Sequence, residues 1–305
     1  MRQYSLAGWL VLVGCGPPDM GNEKIWVGPS GGGLDDTIET PAGTTEDPED
    51  GDSGSSDTGA PETGDGLELG LDPNCSPFTM ADDCMTPWPS VFHTVEDPTS
   101  PTGLRLNYSR DNFYSPDGVL PVDPAMFNFA DGVSPVTPIL VNFGRDINPD
   151  QLWGPLDADD SLLDNVPIVL VDIDTGERVP LLTEMDRNQR DMGYDGRHAL
   201  VIRPMAPLRM GARYAVGLST TLTDTEGSPL TVSPAFAAIR DGVITTDARL
   251  EAARSRYEAV FSALDGAGLA RADLLVAWEL PVASESQVLG PIESMMAVAD
   301  IENAA

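Results

Sequence analysis

The chain has 305 residues, with 49 acidic side chains against 17 basic ones and a formal charge of −32. So acidic a surface excludes ordinary phosphate-backbone binding, which needs clustered lysine and arginine, and nucleic acid is not a partner. With 41% hydrophobic residues the chain still carries enough apolar material for a core of ordinary domain size, so the acidity belongs to surface and linker.

The first element is the uncharged run from Ser5 to Gly14, which contains Leu6, Trp9, Leu10, Val11, Leu12 and Val13 and is preceded by one cation, Arg2. It is too short to span a bilayer: at about 1.5 Å rise per residue, a hydrocarbon core of about 30 Å needs about 20 apolar residues. A basic start, a short apolar core and a small residue at its end form the layout of a secretory signal. Gly14, Gly16, Pro17 and Pro18 stop any helix there. Residues Leu12, Val13, Gly14 and Cys15 resemble the lipobox of bacterial lipoproteins. That resemblance implies cleavage after Gly14 and a diacylglycerol in thioether linkage on Cys15, with the membrane as partner through the lipid. Each buried methylene contributes about 0.8 kcal/mol, so two or more acyl chains anchor a protein where one does not. Gly16 stands where aspartate would mark inner-membrane retention in that family, which favours the outer membrane.

From Gly16 to Asn74 the sequence is rich in Gly, Pro, Ser, Thr and acid, with fifteen Asp and Glu against the single Lys24, a net of −14. Such a segment lacks the apolar surface to offset its ordering entropy, which predicts an extended, self-repelling tether. Fully extended, at about 3.3 Å per residue, it would reach on the order of 100 Å or more. Two serine motifs fall inside it. "GPSGG" around Ser30 fits G-x-S-x-G by letters, but a nucleophile elbow needs a strand before the serine and a helix after it. "GDSG" around Ser53 lacks any packed surroundings that could hold an oxyanion hole. Neither is read as catalytic.

Near Leu71 the composition changes and β-like runs begin to recur between turn signals. Cys75 and Cys84 form an even pair once Cys15 is set aside, and in an exported protein they read as a disulfide. The competing zinc reading would have to use Asp82 and Asp83, with no histidine nearby, which is a poor ligand set. Strands are predicted at 104–108, 137–143, 166–174, 177–185, 198–205, 213–220 and 235–239, with Thr175 and Gly176 as a tight hairpin turn. Tyr214, Val216 and Leu218 alternate with Ala215, Gly217 and Ser219, which predicts one buried and one exposed face. Strands at such short intervals suggest a sandwich, and Tyr214, just past a Gly-containing corner, has the setting of a tyrosine corner whose phenol bonds to turn backbone. The stretch "ALVIRPMAPLRMGARYAVGLSTTLTDTEGSPL" resembles bacterial immunoglobulin-like modules of surface proteins.

After Thr246 the period becomes helical: Leu250, Ala253, Tyr257, Val260, Phe261 and Leu264 share one face, capped by Thr246 or Asp247 and ended by Gly266 and Gly268. A further strand is predicted at 274–280, and a second helix within 290–301 beginning near Pro291. Only two histidines occur, His93 and His198. No nucleophile accompanies either, so His198 reads as a strand-end residue and His93 as packed near the disulfide loop. The acidic clusters at 157–164 and 172–177 lack the alternation, central glycine and final glutamate of an EF-hand, and read as solvated turns. Trp88, Phe92, Trp153 and Trp278 read as core.

Taken together, "DPNCSPFTMADDCMTPWPSVFHTVEDPTSPTGLRLNY", "DGVSPVTPILVNF", "RHALVIRPMAPLRMGARYAVGL" and "LLVAWELPVAS" resemble the amino-terminal region of bacterial surface lipases and related hydrolase lipoproteins, over roughly residues 72 to 285. In that family an immunoglobulin-like region precedes an α/β-hydrolase domain. No position here matches the catalytic serine, acid or histidine, so the resemblance implies an accessory module. The expected organisation is a signal at 1–14, a tether at 15–70, a mainly β, immunoglobulin-like sandwich at 71–245 and a helix-strand-helix extension at 246–305. The expected function is a non-catalytic cell-envelope lipoprotein that binds a protein or envelope-surface partner, with no cofactor and no metal. The alternative is the front portion of a surface lipase or esterase whose catalytic domain lies outside this chain.

Overall fold

The computed structural model describes residues 66–80, 83–112, 122–186 and 199–304, all within the unit Ala60–Ala305. Among the described residues eight strands and three α-helices alternate with short 3₁₀ turns: β1 (Thr94–Glu96), β2 (Leu104–Leu106), β3 (Ile139–Val141), β4 (Ile168–Asp172), β5 (Leu181–Met185), β6 (Leu200–Pro204), β7 (Arg213–Ser219), α1 (Pro234–Asp241), α2 (Ala248–Gly266), β8 (Leu274–Pro281) and α3 (Glu285–Ala304). The strands form three antiparallel sheets, ordered β1-β2, β3-β6-β5 and β4-β7-β8, consistent with a mainly β architecture. Both three-stranded sheets feed one buried cluster that runs from Ile139, Leu200 and Ile202 through Leu170 and Val216 to Trp278. Among the described residues no helix is long and apolar enough to cross a membrane.

β7 is central in its sheet, Val216 pairing with Leu170 on one side and Trp278 on the other. Its alternation predicted one solvent-exposed face, but β7 from Tyr214 to Ser219 is buried on both faces. The cause lies in α2, which packs across β4, β7 and β8. Ala215, Gly217 and Ser219 are small because that helix covers them, and a Cβ on Gly217 would come within 2.7 Å of Leu264 Cδ2. β4 and β8 are buried at every residue, the pattern of strands sandwiched between two layers.

The hairpin expected at Thr175 and Gly176 forms for a single turn. Asp172 accepts from the amides of Asp174 (2.9 Å) and Thr175 (3.2 Å), Gly176 takes φ +73, and Val179 N–H reaches Leu170 O at 3.0 Å. The amide that would extend this ladder, Leu181 N–H, instead donates to Ser161 Oγ at 2.9 Å. From there the chain enters the other sheet, where β5 pairs with β6. Residues 166–174 and 177–185 therefore belong to different sheets.

Two further expectations are corrected. Residues 235–239, predicted as a strand, lie in helix α1, with Pro234 in its first turn and Gly242 at φ +76 as its left-handed end. Ala235, Phe236, Ala238 and Ile239 are buried, the i, i+3, i+4 spacing of one helical face. The last helix starts at Glu285 and carries Pro291 inside it. Its start is set by Ser284, whose Oγ accepts from Gln287 N–H at 3.2 Å, a capping interaction that outranks a proline as a start signal. α2 begins as expected, with Asp247 accepting from the amides of Arg249 and Leu250.

Candidate functional site

The cysteines come first. Cys75 and Cys84 are joined in a disulfide with Cα atoms 4.4 Å apart. Within the loop Asp83 accepts from the amides of Met85 (3.1 Å) and Thr86 (2.8 Å). Arg249, on the first turn of α2, donates to the carbonyls of Pro73 and Cys75, both at 2.9 Å, and so clamps the loop to the helix. Beneath it Phe78, fully buried, meets Phe92, Phe236 and Tyr257 edge to face at 5.1, 5.4 and 5.6 Å.

A cleft of about 510 Å³ opens between this loop, the β1-β2 hairpin and α2, lined among others by Asn74, Cys75, His93, Asn107, Arg249 and Arg256. His93 is 3% exposed, its ring lies 5.6 Å from that of Tyr108, and neither ring nitrogen has a hydrogen-bond partner. Burial lowers its pKa from 6.5 to about 4, so the imidazole is neutral at pH 7. A general base needs a pKa near the working pH and a proton within hydrogen-bond reach, and His93 has neither. Arg256 is held in a bidentate pair with Glu279, at 2.6 and 2.8 Å, and Glu279 is fully buried on β8. The pair pins α2 to the sheet, and the cleft gains no unpaired carboxylate from it.

A second concavity, about 370 Å³, differs in kind. Among the described residues Trp88, Tyr108, Met126, Phe127, Phe129 and Val133 help line it, and no charged residue does. Its walls come from the segment 124–137, which is stitched in place by its polar groups. Asn128 accepts from Tyr108 N–H at 2.8 Å and donates to Tyr108 O at 2.9 Å, and the Arg105 guanidinium donates to Phe129 O. Trp88 Nε1 donates to Tyr108 Oη at 2.9 Å, so the indole N–H is satisfied within the groove. Val133 N–H donates to Pro281 O at 3.0 Å, and Ala283 N–H to Val133 O at 2.9 Å. Ser284 N–H donates to Asp131 Oδ1 at 3.1 Å, so α3 begins at the groove's rim. With its backbone tied down, the segment presents Met126, Phe129 and Val136 to solvent, Phe129 being 59% exposed. On α3, Ile292, Met295, Met296 and Val298 are likewise exposed, Met295 by 64% and Met296 by 62%.

The other sequence candidates are dispersed. Cys15, Ser30, Ser53, Asp82 and His198 lie outside the described residues. The acidic stretch 157–164 holds the short 3₁₀ turn Ala158–Leu162, whose carbonyls of Ser161 and Leu162 accept from Arg178. Asp172 is 3% exposed and receives Arg209 Nε and Nη2, both at 3.0 Å. Burial alone would raise its pKa, but Arg209 and the turn amides hold it below the ordinary aspartate value. Arg209 N–H in turn donates to Tyr214 Oη at 2.9 Å, the bond expected of a tyrosine corner. Trp278 is fully buried with Nε1 on Pro89 O at 2.9 Å, whereas Trp88, Phe92 and Trp153 are only partly buried against the core. Among the described residues no group of three or more His, Cys, Asp or Glu side chains is placed to hold a metal ion.

The arginines are largely consumed by the fold. Every cation after Lys24 is an arginine, and Arg145, Arg203, Arg240, Arg254 and Arg271 each pair with a carboxylate at 2.7 to 3.0 Å. The outward-facing charge is accordingly acidic, and the uncharged groove stands out against it. Sequence reading missed the groove because "PAMFNFA" at 124–130 has neither strand nor helix period. Its one signal is three large apolar side chains, Met126, Phe127 and Phe129, in a short stretch opened by Asp123 and a proline.

No protein-family model matches the chain, and no curated protein matches it.

Proposed function

We propose that the chain is a non-catalytic cell-envelope lipoprotein, anchored through acyl chains on Cys15, whose immunoglobulin-like sandwich presents a docking surface away from the bilayer. The observation that carries the reading is the apolar groove around Trp88, Phe127 and Phe129, beside the start of α3, a helix that carries further exposed apolar side chains. Large exposed apolar side chains grouped at a groove, on an otherwise acidic exterior, mark an interaction site. The sandwich assignment is supported by the shared core of the two three-stranded sheets and by the Tyr214 corner. The anchor is supported by Leu12, Val13, Gly14 and Cys15, and the acidic composition of residues 15–70 suits a spacer.

Intact mass of the chain extracted from membranes is the test. The expected mass lacks residues 1–14 and carries acyl groups on Cys15, and Cys15→Ala moves the protein to the aqueous fraction. An unprocessed or lipid-free chain refutes the anchor.

A further inference from the structure

We propose that the groove and α3 form the interface of a two-fold dimer, in which the α3 of each copy lies in the groove of the other. Three observations point to a second copy as the occupant.

The first is area. Met126, Phe127, Phe129 and Val136 at the groove, with Ile292, Met295, Met296 and Val298 on α3, are all exposed. Eight such side chains leave on the order of 800 Å² of apolar surface in water, close to what each partner buries in a standard stable interface.

The second is reciprocity. A convex apolar helix and a concave apolar groove occur on the same chain and are joined at one point, where Ser284 N–H meets Asp131. A two-fold operation that brings one helix to the partner's groove also brings the partner's helix to its own. The contact closes at two copies and does not propagate.

The third is charge. The chain carries −32, so most faces of two copies repel. Among the described residues the groove lining holds no charged side chain, and the exposed stretch 291–299 of α3 holds only Glu293. Self-repulsion is therefore weakest at this face, and beyond about 8 Å physiological salt screens the rest. This inference rests on the docking surface proposed above, naming a second copy as what occupies it, and is independent of the lipid on Cys15.

Sedimentation equilibrium of the full chain tests it, with Cys15→Ser so that acyl chains cannot drive micelle formation. The expected result is a dimer at micromolar concentration, at least several-fold tighter in 0.5 M than in 0.05 M NaCl. Met296→Glu on α3 and Phe129→Glu at the groove each give monomers with an unchanged circular dichroism spectrum, both side chains being exposed. Mixing the two variants restores a dimer, since one intact helix faces one intact groove. Mixed variants that stay monomeric exclude a helix-in-groove contact. A wild-type chain that is monomeric at 200 µM in 0.5 M NaCl, or a dimer insensitive to both substitutions, overturns the proposal and leaves the face to a different protein.

Discussion

At the level of single residues, His93 is the most informative side chain. It is buried, unpaired at both nitrogens, and its pKa falls from 6.5 to about 4 for one reason, desolvation. The folded state thus favours the neutral ring. Its contribution to stability is complete above pH 6.5 and is lost as pH falls from 6.5 towards 4, where the unfolded chain binds a proton that the folded chain refuses. The loss amounts to about 3 kcal/mol by pH 4. Chemical denaturation between pH 7 and pH 4 checks this, and His93→Phe is expected to flatten the profile over that interval. A profile unchanged by the substitution would assign the acid sensitivity to carboxylates instead. Asp97, through bonds from Thr99 and Arg105, and Glu251, through bonds from Arg254 and Thr245, are both lowered to about 2, so their stabilisation starts to fade only at the acid end of that interval and is lost below it. The neighbourhood of His93 beside the disulfide loop was legible in the sequence from proximity alone. Its lack of hydrogen-bond partners was not, because that depends on which groups distant segments bring against its turn, β8 from about 180 positions further on among them.

Among the elements, what decided legibility was whether a segment's own period matched its burial. β3, β4, β5 and β6 fall within their predicted stretches and β8 overruns its own by one residue, its run "LLVAWEL" suiting a strand covered on both faces. α2 was found because its apolar positions repeat at helical spacing and Asp247 caps it. α1 was misread as a strand because "AFAAI" is short and wholly apolar, a pattern that periodicity cannot resolve. Its flanking Pro234 and Gly242 were the better guide. The β7 alternation misled in another way: small residues opposite large ones signify a covering helix as readily as solvent. The connection that most shapes the groove is the approach of Gly132 to the end of β8, where a Cβ would sit 2.5 Å from Ala283 N. Gly132→Ala must displace backbone on one side or the other and is expected to cost about 3 kcal/mol. Thermal melts measure this, and a change below about 0.5 kcal/mol would show that the stitch between residues 131–133 and 281–284 is dispensable. Nothing local announces this glycine, since its constraint comes from a strand about 150 residues further on.

For the whole molecule, charge is the governing quantity. Acids outnumber bases 49 to 17, so self-repulsion works against the compact state and salt relieves it. The midpoint of thermal unfolding is expected to rise by about 5 °C between 0.05 M and 1 M NaCl. A falling midpoint would mean that the arginine-carboxylate pairs outweigh the repulsion. Composition made the acidity plain at once, yet only the fold reveals how completely arginine is spent on carboxylates and carbonyls. The same choice of cation reaches into the protein's covalent chemistry. Lys24 bears the single ε-amine in the chain, so any reagent or modifying enzyme that seeks such a group meets one address, ahead of the domain. A fluorophore or surface coupled there would attach once per molecule and leave every guanidinium clamp of the β-rich body untouched.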